Sequence, residues 1–252
     1  MEFIIAFIFG SVMGSFLGVV IERLPNNRNI FLGRSQCDSC GKKLNWYELV
    51  PIVSFIALHG KCLKCKKKID IRIFVVELLT AILTVGSVFY AAINSLDIFN
   101  LIILIAVIYI FLIIFFIDLK HAIIPDVLTI LLLIISVIRI YTLEISFLPF
   151  ILSGIGALLF FSFLFAITRG RGMGLGDVKL SFVLGMILGY PLIIIGLYMA
   201  FLTGAIVSII LVLARKKRFK GGVIPFGPFL VLGSILAIFF ESWLIKFFTA
   251  FF

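Results

Sequence analysis

A chain of 252 residues that is 63% hydrophobic, with a mean hydropathy of +1.31, is too apolar for a soluble domain, because those run roughly 45–50% apolar. Its continuous apolar stretches do not read as the short alternating segments of a β-barrel. They leave an all-α integral membrane protein, since only helices and closed barrels satisfy every backbone group in lipid. The net charge of +10 reads as the basic bias of cytoplasmic loops and not as a nucleic-acid surface.

A spanning helix needs about 20 apolar residues. That ruler predicts about eight spans, at 3–20, 73–93, 99–118, 123–142, 147–168, 177–190, 191–214 and 223–243. The first has no basic segment before it and is followed by Arg23, so it reads as a retained span with its N-terminus outside. The sixth is short and starts at a glycine-rich stretch, 172–180, GMGLGDVKL. Tyr190-Pro191 separates it from the seventh, because proline disfavours helix in the residue before it.

Alternating from an outside N-terminus puts 21–72, 119–122, 169–176 and 215–222 on the inside. The first of these loops holds eleven basic residues. The others hold Lys120, then Arg169 and Arg171, then Arg215, Lys216, Lys217, Arg218 and Lys220. Only Arg139 and Lys246 fall outside, with Lys179 near the inner edge of span six, which is the positive-inside pattern. The expected organisation is a first transmembrane helix 1–20, a cytoplasmic four-cysteine loop 21–72 and a multi-span domain 73–252.

The loop between the first and second spans carries Cys37-Asp-Ser-Cys40 and Cys62-Leu-Lys-Cys65. Two C-x₂-C knuckles can bring four thiolates to one tetrahedral Zn²⁺. Gly41 stands where a tight turn wants glycine. Disulfides are rare in a cytoplasmic segment, and a loop of this size has too little core to fold without help. The site is expected to be structural, because four protein ligands leave no open position.

Ionisable groups in spans are costly and mark candidate sites. Asp126 follows Pro125 at the start of span four, a place that helix dipole and capping favour. Glu77 stands about one turn into span two, to cap that helix end or pair with a basic neighbour. Glu48 lies in the loop and His121 reads as a solvated or interfacial histidine. Asp118 and Asp177 differ: one ends span three, the other opens span six beside glycines, and the topology brings both to the same depth on the same side. Two carboxylates held together do not both ionise readily and share a proton. One then serves as general base on a water and the other as general acid to the scissile amide. The alternative for the same pair is a proton or cation relay in a transporter.

These residues carry a family resemblance. Gly14-Ser15-Phe16-Leu17, Arg23-Leu24-Pro25, the two cysteine pairs with Trp46, Glu48 and Pro51 between them, and Val76-Glu77-Leu78-Leu79-Thr80-Ala81 come first. Ile117-Asp118, Ile124-Pro125-Asp126, Gly174-Leu175-Gly176-Asp177-Val178-Lys179 and Ile224-Pro225-Phe226-Gly227-Pro228-Phe229 follow in order. Over nearly its whole length the chain resembles a type IV prepilin peptidase, a bacterial membrane aspartic protease of the GxGD class. The resemblance implies Asp118 and Asp177 as the catalytic pair and prepilins or pseudopilins as substrates. It implies cleavage of a short basic leader at the cytoplasmic face of the inner membrane. It also implies N-methylation of the new N-terminus with S-adenosylmethionine, an activity that goes with the cysteine-bearing loop. Gly18 departs from the pattern, since asparagine more often follows the GSFL stretch. A basic leader meeting basic loops calls for acids, and Glu22, Asp126 and Glu77 are the candidates to receive it.

Overall fold

Where lipid offers no hydrogen-bond partner, an apolar run folds as helix, and these runs do. The computed structural model describes residues 1–30, 35–37, 39–170, 173–213 and 225–251. Arg34, Arg171, Gly172, Arg215, Lys216, Lys217, Arg218, Lys220 and Ile224, used in the sequence reading, lie outside the described residues. The helices are α1 (Glu2–Arg23), α2 (Val53–Ala57), α3 (Ile71–Ile93), α4 (Ile98–His121), α5 (Asp126–Thr142), α6 (Phe147–Ile167), α7 (Leu175–Leu188), α8 (Leu192–Leu213), α9 (Gly227–Phe239) and α10 (Glu241–Phe251).

Five of them are long and apolar enough to cross a membrane: α1 with the turn that follows it, α3, α4, α6 and α8. The chain is therefore an all-α, multi-pass membrane protein. The other expected spans are shorter, with 17 residues in α5, 14 in α7 and 13 in α9. At 1.5 Å per residue α7 is about 21 Å long, against a hydrocarbon thickness of about 30 Å. The eighth run is not one helix. It breaks at Phe240, and α10 begins on Glu241, an acid in a first turn, where the helix dipole favours it.

The chain forms two units, Met1–Ile113 and Ile114–Phe252, with the boundary inside α4. In the first, α1 packs along α3. The buried face of α3 is small and polar, carrying Glu77, Thr80, Ala81, Thr84 and Ser87 at helical spacing. Gly10 and Gly14 of α1 lie on that face. A Cβ at Gly14 would stand 2.7 Å from the Glu77 Cα, and one at Gly10 2.6 Å from the Thr84 Oγ1. This small-xxx-small spacing lets two backbones approach where no hydrophobic effect drives helices together. The hydroxyls are satisfied locally. Thr80 donates to the Val76 carbonyl and Thr84 to that of Thr80, both at 2.7 Å, and Thr84 also meets the Tyr109 hydroxyl at 2.9 Å.

In the second unit α7 is the centre, packed by α5, α6, α8 and α9 and buried along most of its length. The Cα of Gly154 on α6 lies 2.5 Å from where a Cβ at Gly185 on α7 would stand. Arg139 of α5 donates to the Ile187 carbonyl at 2.6 Å, meeting one of the carbonyls that a helix end leaves open. α7 then stops at Gly189, whose φ of +68° with ψ 177° is a conformation open almost only to glycine. An aromatic group of Phe161, Phe201, Phe226 and Phe229 joins α6, α8 and the start of α9.

Replacing Gly14 by valine sets side-chain atoms against the backbone of α3, which cannot yield as a side chain can. Gly14→Val should cost about 1–3 kcal/mol, the usual range for overpacking, read as a lower thermal midpoint in detergent.

Candidate active site

The second unit holds a cavity of about 340 Å³, lined by Asp118, Ala122, Ile123, Ile124, Asp126, Met173, Gly174, Leu175, Gly176, Asp177, Lys179, Pro225 and Phe226. Four pieces of chain build it: the last turn of α4, the link into α5, the start of α7 and the residues before α9. Helix ends are where backbone groups lack intrahelical partners, and this cavity is made almost wholly of them.

The structure brings Asp118 and Asp177 to this one cavity, although 58 residues separate them in sequence. Both are buried, with 4% and 6% of their surface exposed. Asp177 is the third residue of α7, and its Oδ2 accepts the Gly174 N–H at 3.0 Å. That is the reach-back half of a capping box, with glycine at the cap. Asp118 is held differently. Its Oδ2 is buried and makes no hydrogen bond of standard geometry among the described residues. The backbone of Gly227, the first residue of α9, lies against it, and a Cβ at 227 would stand 2.5 Å from Oδ2. Gly176 packs on Ile124 less tightly, with 3.1 Å from its would-be Cβ to the Ile124 Cβ.

The other acids fall into place around this pair. Asp126 opens α5, as its sequence context suggests, and it also pairs with Lys179 of α7 at 2.8 Å, at the exposed edge of the cavity. Glu22 is exposed at the end of α1. Glu77 corrects the sequence reading. Asp70 caps α3 and pairs with Arg72, whereas Glu77 is 5% exposed and accepts the Ile52 N–H at 2.8 Å. Buried on that bond, it is no receptor for a leader. Glu48 also does more than the sequence reading allowed. It is buried, closes a capping box on Asn45 and pairs with Lys42 at 2.9 Å, which holds its carboxyl below the usual range through the Asn45 N–H first and Lys42 second. The N-x-x-E spacing of a capping box was there to be read. His121 is half-buried at the end of α4.

In the first unit, the two cysteine pairs form matching knuckles. The Cys37 N–H donates to the Lys42 carbonyl and the Gly41 N–H to the Cys37 carbonyl, while Cys62 does the same with Lys67 and Lys66. The residue after each pair is left-handed, Gly41 at φ +66° and Lys66 at φ +58°. The four sulfurs lie within 4.8 Å of one another, with Cys37 and Cys65 3.8 Å apart. Metal–sulfur bonds of about 2.3 Å in a tetrahedron separate the sulfurs by about 3.8 Å, so the donor set fits a metal ion. The Cys65 and Lys64 N–H groups aimed at Cys62 pull its thiol down, toward the thiolate that a metal takes.

The structure thus gathers two buried acids at one cavity of a multi-pass helical membrane protein. Comparison with known proteins names its family. The profile of the Bacterial Peptidase A24 N-terminal domain matches residues 8–91, and that of the Type IV leader peptidase family matches 102–209. A Bacillus subtilis protein named prepilin leader peptidase/N-methyltransferase is 32% identical over 245 residues, covering 97% of this chain and 96% of its own. Proteins of the same name from Legionella pneumophila and Vibrio cholerae are 28% and 30% identical, covering 99% and 95% of this chain and 95% and 98% of their own. No solved structure gives a significant match. The chain belongs to the type IV leader peptidase family and is a peptidase. Membership sets aside the transport reading of the same acids.

The contacts around the cavity rank its residues by cost. Gly227→Ala should destabilise by about 1–3 kcal/mol, since a methyl group must displace a buried carboxylate. Lys179→Gln should change stability by less than about 1 kcal/mol, as exposed ion pairs do. Thermal midpoints of the two variants in detergent check the order.

Proposed function

We propose that this chain is a membrane aspartic endopeptidase that removes the basic leader of type IV prepilins or pseudopilins, with Asp118 and Asp177 as its catalytic pair. The observation that carries the reading is the arrival of both carboxylates, from the end of α4 and the start of α7, at a single cavity. One takes a proton from a water as that water attacks the scissile carbonyl. The other gives a proton to the amine that leaves. A cavity of 340 Å³ has room for that water, whose share of liquid volume is about 30 Å³, and for a short extended piece of substrate. Gly174 leaves the wall beside Asp177 free of a side chain, where that strand would lie.

Cleavage takes place at the cytoplasmic face of a bacterial inner membrane. The eight helical runs alternate from an outside N-terminus, with the short α7 packed by its neighbours. The distribution of lysine and arginine supports this topology. The domains are the first helix 1–20, the cysteine loop 21–72 and the protease domain 73–252. Cys37, Cys40, Cys62 and Cys65 hold a structural Zn²⁺, a closed site that organises the loop. The names of the relatives support a second step, transfer of a methyl group from S-adenosylmethionine to the new N-terminus. Asp126 receives a basic leader residue by exchanging it for Lys179.

Asp118→Asn and Asp177→Asn should each cut leader removal by about 10²-fold or more, the size of an acid–base contribution. The readout is product mass from a prepilin mixed with purified protein in lipid. Cleavage that survives either change would reassign that acid, and an added methyl mass with S-adenosylmethionine would report the second activity. Cys62→Ser should lower bound zinc to background by elemental analysis, with fewer ordered residues in the loop by hydrogen exchange. Unchanged zinc would remove the metal from the account.

A further inference from the structure

The four-cysteine segment exposes apolar side chains that a loop in water would hide, and two contacts fix where they lie. The Glu77 carboxylate, which holds the Ile52 N–H, is six positions inside α3 from Ile71, about 9 Å along the axis. Phe55 of α2 stacks on Phe74 of α3 with ring centroids 5.0 Å apart. Together they lay α2 and the turn before it alongside the first turns of a membrane-crossing helix, not beyond its end. With Phe55 turned to α3, Val53 and Ile56 are left 62% and 61% exposed, and Trp46 is 80% exposed. Tyr47, Leu49 and Val50 are exposed with them, as are Ile71 and Ile73 of α3 itself. Lys61, Lys64, Lys66, Lys67 and Lys68 follow in the same segment, all exposed, and none makes an ion pair among the described residues.

We propose that this face, Trp46 to Ile56 with the five lysines, docks onto the headgroup layer of the bilayer and binds anionic lipid there. Tryptophan and tyrosine seat at that layer because one end of each ring is apolar and the other wet. Lysine lays its stem on apolar surface and keeps its ammonium at the headgroups, and a cluster of lysines near the surface is drawn to anionic lipid. The occupant follows from position: α2 and the turn before it lie alongside the first turns of a spanning helix, where Ile71 and Ile73 are exposed too, so the bilayer is already beside them. The inference rests on α3 crossing the membrane and not on the catalytic assignment.

The chain has two tryptophans, Trp46 and Trp243, so Trp243→Phe leaves Trp46 as the reporter in the full-length protein. The variant is reconstituted in phosphatidylcholine vesicles with and without phosphatidylglycerol. Quenching is read with lipid brominated high on its acyl chains and with acrylamide in the water. Bromolipid should quench Trp46 and acrylamide should reach it several-fold less than free tryptophan. Phosphatidylglycerol should strengthen both effects, and changing the five lysines to glutamine should remove its influence. Free access of acrylamide would overturn the proposal. So would shielding from both quenchers, which would mean that protein, such as a second copy, covers the face. Equal behaviour in the two vesicle types would overturn the assignment of anionic lipid.

Discussion

A carboxylate taken out of water must be met by donors, by charge or by a proton, and each buried acid here answers that demand in its own way. Glu48 has a backbone N–H and an ammonium. Glu77 has the Ile52 N–H. Asp177 has the Gly174 N–H. Asp118 is the exception, with one oxygen that accepts nothing of standard geometry among the described residues. A buried polar atom short of partners calls for an explanation, and the backbone of Gly227 is the group that lies against this one.

The rest of the second unit follows from bringing those two acids to one cavity. α7 is short, with 14 residues, and its neighbours bury most of it. Arg139 closes its other end. Gly227 lets α9 begin on the Asp118 carboxylate itself, and Gly176 lets α7 begin on Ile124. Gly227 matters for the side chain it lacks, because backbone can then approach an acid that a methyl group would push aside.

The helices were legible in the sequence because lipid imposes a simple rule, about 20 apolar residues per crossing, and helix lies at every run so identified. The ends were less so. A hydropathy ruler does not see that the apolar run through Phe240 changes helix at Glu241, nor that α7 can be short when neighbours bury it. Within the site, Asp118 and Asp177 stood out as acids at the ends of apolar runs, and the matching knuckles of the cysteines followed from C-x₂-C spacing. Gly227 and Glu77 were quoted for their motifs, yet what they touch lies far away in sequence. Nothing local says that Gly227 meets Asp118, or that Glu77 holds Ile52, 25 residues earlier. The Lys179–Asp126 pair is of the same kind, 53 residues apart, and it qualifies Asp126 as a receptor for basic leaders by giving it a partner already.

The central claim is that Asp118 and Asp177 act as one unit, and a double-mutant cycle on leader cleavage tests it most directly. Residues that act together are grossly non-additive when removed. The rates of Asp118→Asn, Asp177→Asn and the double variant should then be nearly equal, each far below wild type. A double variant slower than either single one by the product of their effects would mean that the acids act independently, and would contradict the account.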